Sequence, residues 1–183
     1  MLRGVALQTG SHRLGPDNAT LSVLTGRTGA AATAGHDLVL HVTSWEATLE
    51  VGEDPAETIA ELNADATSLR VHRGTGGMQA LGDDDKANIH QTIDDDVLKR
   101  QDIRFRSTQA QAAADGSAIS VQGDLTLLGK AQPVSFDLAI GDDGTFSATA
   151  TVKQTAWGLK LYSALFGSLK VADDVQVVID GHL

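Results

Sequence analysis

The sequence predicts an all-β protein, an antiparallel β-barrel with one covering helix near 84–98 and a short apolar lid or turn near 157–167. Two observations predict it. Apolar and polar residues alternate along most of the chain, and one segment alone shows helical spacing. Closing the sheet would bury its apolar face and remove its edges, although an open sandwich would show the same alternation. We expect a single domain over residues 1–183.

The strands follow from alternation bounded by turn residues. In "ISVQGDLTL", from Ile119 to Leu127, every second residue is apolar or glycine. "GPDN", "GEDP", "ADGS" and "GDDG" are typical of turns. Strands are predicted near 19–26, 38–42, 45–51, 60–69, 102–109, 119–127, 134–140, 146–152 and 171–180.

The covering helix is predicted from "DDDKANIHQTIDDDVLK". Ile89, Ile93 and Val97 recur every four residues and so share one helical face. The acidic residues 83–85 precede them, where the positive end of the helix dipole favours carboxylates. We therefore expect a helix near 84–98 that lies over the barrel.

Small residues dominate the predicted inward-facing register of several strands. A barrel lined by such residues leaves space inside, whereas bulky residues would fill it. The sequence thus predicts an apolar ligand cavity; the alternative is that the small residues lie where the strands pinch together. The residues concerned are Ala47, Ala64, Ala66, Ser68, Ala148 and Ala150.

Charge and composition restrict the partners. Fourteen basic and twenty-four acidic residues give a formal charge of −10, so nucleic acid is not expected, and anionic lipid surfaces should repel the chain unless one face is locally basic. There is no cysteine for a thiolate site. "MLRGVALQTGSHRLG" lacks a signal-type apolar run and no later segment is long enough to span a bilayer, which predicts a cytoplasmic protein without stable membrane insertion.

Candidates for chemistry are few, and we expect no catalytic residue, metal site or cofactor. Adjacent side chains on a strand point to opposite faces, so His36 and Asp37 should not form an acid/base pair. His90 and Asp94 have the i, i+4 spacing of two metal ligands on a helix, but the nearby sequence offers no clear third ligand. A solvated helix face is the simpler interpretation.

The order of several motifs resembles the YceI-like family of lipocalin-like proteins, including bacterial members. "GDLTLLGKAQPVSFDL" (123–138) is similar to the family's Gly-x-Leu-Thr-x-x-Gly turn followed by Pro-Val and a strand. "DIRFRST" (102–108), "SATATVKQTAWGLK" (147–160) and "AGHDLVLHVTSWEATLEV" (34–51) resemble other blocks. The resemblance implies a lipocalin-like barrel of about eight strands that holds a polyisoprenoid or quinone-type chain in its lumen without chemistry.

The apolar segment 157–167 is expected at one end of the barrel, as a lid, as a plug of ordinary core residues, or as a dimer contact. Together with inward-facing strand residues it forms the predicted ligand site at the cavity and its mouth. The predicted site residues are His36, Trp45, Ala64, Phe105, Leu125, Phe136, Leu138, Phe146, Ala148, Trp157, Tyr162, Leu165 and Phe166.

Three functions follow from these expectations. The first is non-catalytic binding, storage or transport of a long apolar lipid, with an isoprenoid chain as the partner. The second is a protein–protein interaction module or homodimer with no small ligand, since an exposed apolar segment needs a partner. The third is an enzyme acting on a small apolar substrate, which would need a titratable pair in the lumen.

Overall fold

The computed structural model describes residues 9–183 and confirms the all-β class. The prediction that the N-terminus has no signal-type apolar run concerns mainly residues 1–8, which lie outside the described residues. An eleven-stranded antiparallel sheet curls strongly into a half-barrel in the order β1-β5-β6-β8-β9-β10-β11-β14-β2-β4-β7, and a three-stranded sheet has the order β12-β13-β3. The strands are β1 (Gly10–Leu14), β2 (Ala19–Thr25), β3 (Arg27–Thr28), β4 (His36–Val42), β5 (Trp45–Val51), β6 (Ile59–Ala64), β7 (Leu69–Gly76), β8 (Ile103–Ala112), β9 (Ala118–Leu127), β10 (Lys130–Ile140), β11 (Thr145–Lys153), β12 (Ser163–Ala164), β13 (Leu169–Val171) and β14 (Asp174–His182).

In residues 9–183, helical structure is confined to one helix and several single turns. Helix α1 (Asp83–Thr92) continues into a π-helical turn at Ile93–Val97, so the predicted helix near 84–98 is confirmed. Among the described residues, no helix combines the length and the apolar character needed to cross a membrane. The 3-10 turns are Ala32–Ala34, Pro55–Glu57, Ala66–Ser68, Gln154–Trp157 and Leu165–Gly167.

The most regular part of the sheet is the meander β8 to β11, where the sequence alternates most strictly. β9 and β10 pair along ten positions, from Leu127 opposite Lys130 to Ala118 opposite Ala139. Leu128 and Gly129 between them both have positive φ, 51° and 71°, which is the backbone twist that a two-residue hairpin loop requires. The turn therefore fixes the register that places one face of each strand inward.

The strand count is higher than the eight or so that the resemblance implies, because short segments were missed and two predicted strands are broken. The segment predicted at 60–69 divides into β6 and β7 at Asp65. Asp65 Oδ1 accepts hydrogen bonds from the Thr67 backbone N–H (2.8 Å) and hydroxyl (2.7 Å), and these bonds hold the pKa of Asp65 below its usual value. Such local bonding replaces the sheet ladder and starts a 3-10 turn.

The strand predicted at 171–180 is likewise two elements, since β13 ends at Val171 and β14 begins at Asp174. β14 then pairs with β11 on one side and β2 on the other. The last strand is thus an interior strand of the main sheet.

The main sheet has two edge strands, β1 and β7, which do not pair with each other in the described chain. Helix α1 covers β7, and His90 Nε2 accepts a hydrogen bond from the Val71 backbone N–H at 3.0 Å. An acceptor from a helix side chain therefore satisfies an edge donor that has no neighbouring strand. This bond requires a neutral imidazole, because both nitrogens of protonated histidine are donors.

We predict that His90 stabilises the fold above about pH 6.5 and loses this effect in acid. Burial is the main cause that lowers the pKa of His90, and Arg70 and Lys86 lower it further, while Asp94 opposes them. A lowered folded-state pKa means that the unfolded chain binds the proton first, so the contribution disappears as pH falls from about 6.5 through the folded-state pKa.

The variant His90→Ala should lower the free energy of unfolding by about 1–2 kcal/mol near pH 7.5, as measured by urea denaturation. His90→Gln retains an acceptor that does not titrate, so it should lose less stability and show a flatter pH dependence. Burial and the neighbouring His72 also lower the pKa of His41. Part of the pH dependence of the free energy of unfolding should therefore remain in both His90 variants. Unchanged stability of His90→Ala near pH 7.5 would contradict the role given to this bond.

Candidate functional site

The curl of the main sheet encloses a cavity of about 880 Å³. Its wall is built mainly from aliphatic and aromatic side chains of the main sheet, and helix α1 with its π-helical turn completes the wall. Ile89, Ile93 and Val97, the residues that share the predicted helical face, line the cavity. The helix is therefore part of the wall as well as a cover for the sheet edge.

The space exists because small side chains occupy several inward positions. Ala47, Ala64, Ala148 and Ala150 line the cavity, in agreement with the strand register expected from the sequence. Ala66 and Ser68 do not, because the chain has left the sheet there for a 3-10 turn in which both are buried. Interiors are usually close-packed, so short side chains on facing walls leave a gap that longer ones would fill.

Phenylalanines give the wall its aromatic character. The rings of Phe105 on β8 and Phe136 on β10 lie 5.5 Å apart between centroids and are tilted by 54°. The strand between them carries Gly123, where an added Cβ would lie 2.5 Å from the Phe105 ring. The glycine thus provides the room that lets Phe105 lie across β9 beside Phe136.

One end of the curled sheet is packed solid. Five apolar residues are buried there but do not line the cavity: Val51, Ala110, Ile119, Val121 and Ile140. They lie toward the turns that join β5 to β6, β8 to β9 and β10 to β11. An apolar molecule in the cavity would therefore meet a closed wall on this side.

The other end of the cavity reaches solvent. Met78 and Tyr162 line the cavity and are 84% and 49% exposed, respectively. Arg27, Gln79 and Lys170 also belong to the lining here. This polar rim, which we call the mouth, lies between the β7–α1 connection and the small sheet β12-β13-β3.

The mouth is organised by hydrogen bonds around His36, the first residue of β4. His36 Nε2 donates to the Gln79 carbonyl oxygen at 2.7 Å and thereby holds the β7–α1 connection against β4. Asp37 accepts a hydrogen bond from the Arg27 backbone N–H at 3.0 Å, and its Oδ1 lies 3.7 Å from Arg27 Nε. Asp37 is thus engaged by Arg27, and His36 by the Gln79 carbonyl oxygen.

Of the possible metal pair His90 and Asp94, His90 is engaged in another bond. The lone pair of His90 Nε2 is used by the Val71 N–H, and burial disfavours a charge on the ring. Within residues 9–183 no group of three or more metal-ligating side chains of the His, Cys, Asp and Glu types comes together. His90 therefore fastens the helix to the sheet edge, whereas Asp94 Oδ1 is buried without a hydrogen-bond partner among the described residues.

The structure brings nine of the predicted site residues to the cavity and leaves four away from it. Whether the nine contact a ligand stays a prediction. Those on the wall are His36, Ala64, Phe105, Leu125, Phe136, Leu138, Phe146, Ala148 and Tyr162. Those that do not line the cavity are Trp45, Trp157, Leu165 and Phe166.

The two tryptophans are buried outside the cavity. Trp157 ends a 3-10 turn that packs beside the β9–β10 hairpin, and its Nε1 donates to the Leu125 carbonyl oxygen at 2.8 Å. Trp45 begins β5, and its Nε1 is buried without a hydrogen-bond partner among the described residues. Trp157 thus fastens the connection after β11 to the backbone of β9 at Leu125, and the Leu125 side chain lines the cavity.

Leu165 and Phe166 form the turn between β12 and β13 and point into solvent. Leu165 is 54% and Phe166 is 111% exposed, so neither plugs the barrel. Both residues have positive φ, 51° and 56°, a left-handed conformation that costs about 1–2 kcal/mol per residue without glycine. The apolar segment 157–167 is therefore divided between a buried anchor at Trp157 and an exposed tip.

Sequence reasoning included His36 and Tyr162 but missed the other residues that make the mouth. Met78, Gln79 and Lys170 lie in segments without periodicity, and no local pattern marks them as neighbours. Arg27 lies in "GRTG", where the glycines are typical of a turn, but it belongs to β3, which pairs with β13 far along the chain. Long-range pairing of two short strands leaves no recognisable signal in a single sequence.

Comparisons with known proteins agree with the architecture. The model of the YceI-like domain family matches residues 16–183. The chain is similar in structure to BcnA of Burkholderia cenocepacia, with a TM-score of 0.65 and 20% sequence identity over 88% of this chain and 94% of that one. At this identity the likeness concerns the fold. The comparison with curated proteins finds no match.

We predict that the two tryptophans differ in their contribution to stability. Trp157→Phe removes the hydrogen bond to the Leu125 carbonyl oxygen and should lower the free energy of unfolding by about 1–2 kcal/mol. Trp45→Phe is the matched control, because the indole N–H that it removes has no partner among the described residues. This variant should therefore lose less free energy of unfolding than Trp157→Phe. Urea denaturation of both variants measures the difference, and an equal loss would show that the Trp157 bond contributes nothing specific.

Proposed function

The chain belongs to the YceI-like domain family, and on that premise we propose that it binds, stores or transports a long apolar lipid in its cavity without transforming it. A polyisoprenoid or quinone-type chain is the ligand class that we propose. The observation that carries this proposal is the open apolar cavity, because its volume of about 880 Å³ lies toward the upper end of the range of ligand sites.

The energetics favour an occupied cavity. An empty apolar void costs about 20 cal/mol per Å² of its surface, and a ligand with apolar surface removes that cost. The alanines on the wall, such as Ala64 and Ala148, keep the void open rather than filling it. A sequence selected only for stability would place larger residues at these positions.

The polarity of the cavity suggests an orientation for the ligand. Its interior is apolar around Phe105, Phe136 and Phe146, while the mouth offers Arg27 and Lys170. A lipid with a long apolar chain and a polar end would place the chain inside and the polar end at the mouth, since buried polar groups without partners are costly.

A carrier role also agrees with how the titratable groups are used. His36 donates to a backbone carbonyl and Asp37 is engaged by Arg27, so both support the mouth. An enzyme would need a free acid or base within reach of a bound substrate. We propose a role without catalysis, and we place it in the cytoplasm.

Native mass spectrometry of protein purified without detergent tests the proposal directly. We expect an apolar mass to co-purify, or, after delipidation, added geranylgeraniol to bind as one molecule per chain. Protein that carries no such mass and binds no geranylgeraniol would contradict the proposal.

A cavity-filling substitution gives a sharper test. Ala148→Leu adds three carbons to the cavity wall and should weaken geranylgeraniol binding by about tenfold or more, because overpacking costs about 1–3 kcal/mol. The matched control is Ala139→Leu, which makes the same change at an exposed position of β10 that does not line the cavity. Fluorescence competition measures both affinities, and equal affinity of the two variants would show that the ligand binds elsewhere.

A further inference from the structure

The hairpin of β12 and β13 exposes an apolar tip beside the cavity mouth. Tyr162, Leu165 and Phe166 are 49%, 54% and 111% exposed, and Phe166 is the most exposed large apolar side chain in residues 9–183. Tyr162 and Lys170, on either side of the turn, line the cavity. We call residues 160–170 the apolar tip.

The turn presents its side chains outward through its backbone conformation. Leu165 and Phe166 both adopt the left-handed conformation, and the carbonyl oxygen of Leu165 accepts hydrogen bonds from the Ser168 N–H (3.2 Å) and hydroxyl (2.6 Å). The turn is thus held by its own backbone and Ser168, without burying its two largest side chains. Exposed apolar residues held in a strained conformation suggest a functional use.

The segments that carry the apolar tip and its neighbouring strand β3 differ in charge from the rest of the molecule. Residues 154–172 contain no Asp or Glu and carry Lys160 and Lys170, although the whole chain has 24 acidic residues and a formal charge of −10. Residues 18–36 also lack acidic residues and contain Arg27. The small sheet and its hairpin therefore gather cations and apolar groups from two distant segments, whereas the acidic first turn of α1 lies on the opposite rim of the mouth, where Asp85 lines the cavity.

The two segments form one surface. β13 pairs with β3, the Ala31 N–H donates to the Ser168 carbonyl at 2.8 Å, and the Ala172 N–H donates to the Gly26 carbonyl at 2.8 Å. The nearest acidic side chain in sequence to β3, Asp37, is paired with Arg27. The basic apolar surface is thus a rigid feature of the small sheet.

We propose that the apolar tip docks the protein reversibly on an anionic lipid bilayer, with the cavity mouth facing the membrane. Leu165 and Phe166 would enter the interface between headgroups and acyl chains, and Lys160 and Lys170 would meet anionic headgroups. The overall negative charge would repel the remaining surface, so the molecule would bind through this end alone.

The bilayer fits this surface better than a protein partner does. A stable protein interface buries about 1,200–2,000 Å² and needs a broad complementary surface, whereas the exposed apolar area here is concentrated in three side chains at a hairpin turn. Aromatic and aliphatic side chains flanked by lysines are typical of shallow membrane contacts. Two apolar side chains with two lysines agree with reversible docking rather than insertion.

Vesicle co-sedimentation tests the docking. The probe is a vesicle of phosphatidylglycerol and phosphatidylcholine in equal amounts, compared with pure phosphatidylcholine, at low and high salt. Wild type should bind the anionic vesicles and dissociate as salt rises. The double variant Leu165→Ser with Phe166→Ser should lose about tenfold or more of its partitioning, and Lys160→Gln about fivefold.

Ile59→Ser is the matched control, since Ile59 on β6 is 45% exposed but lies outside the tip and does not line the cavity. It should bind as wild type does, and thermal unfolding followed by circular dichroism checks that all variants fold. Delipidated and geranylgeraniol-loaded protein are both measured, so this surface is tested whether or not the cavity holds an isoprenoid.

Three results would overturn the proposal. The first is unchanged vesicle binding by the double variant. The second is equal binding of wild type to neutral and anionic vesicles with no effect of Lys160→Gln. The third is absence of vesicle binding by the wild type. If the wild type is then a dimer in size-exclusion chromatography that the double variant dissociates, the tip is assigned to a second copy of the chain.

Discussion

The structure depends on keeping an apolar cavity open inside a curled sheet. Alternation along the strands sends one set of side chains inward, and the curl holds opposite walls too far apart for alanines to meet. Phe105 and Phe136 supply apolar surface without closing the gap. Stability comes instead from the solid end of the sheet, where Ile119 and Val121 are almost completely buried. The fold thus separates the packed region that stabilises it from the region that can accept a ligand.

The curl also leaves two sheet edges, and the chain protects the β7 edge with a helix. Helix α1 and its π-helical turn contribute Ile89 and Ile93 to the cavity wall, while His90 from the same helix satisfies the Val71 N–H at the edge. Helix α1 and its π-helical turn therefore both complete the cavity wall and protect the β7 edge. Any movement of this helix would change the cavity wall and the sheet edge together.

Sequence reasoning succeeded where structure is local and periodic. The β8–β11 meander follows from alternation and from turn residues such as Gly129, and the inward alanines Ala64 and Ala148 follow from the same register. It missed most of β7, because the glycines Gly74 and Gly76 are typical of turns although β4 supplies the pairing partner. Propensity is a weak guide where a distant strand provides the hydrogen bonds.

The candidate site was predictable to a similar extent. Most side chains of the regular strands were placed on the wall correctly, because the period of two decides their direction, but Trp45 at the start of β5 does not line the cavity. Trp157 and Phe166 were not, because an apolar residue outside a regular strand can be buried beside the sheet or exposed in a turn with no difference in local pattern. Their positions depend on contacts with segments far away in sequence, which alternation does not encode.

The position of β14 has a consequence for how the chain folds during synthesis. This strand lies between β11 and β2, so it joins an early segment of the polypeptide to a late one. β2 leaves the ribosome long before residues 174–182 and must wait with an unpaired edge until they emerge. Topologies with such distant pairings fold slowly, and their waiting strands are natural substrates for chaperones.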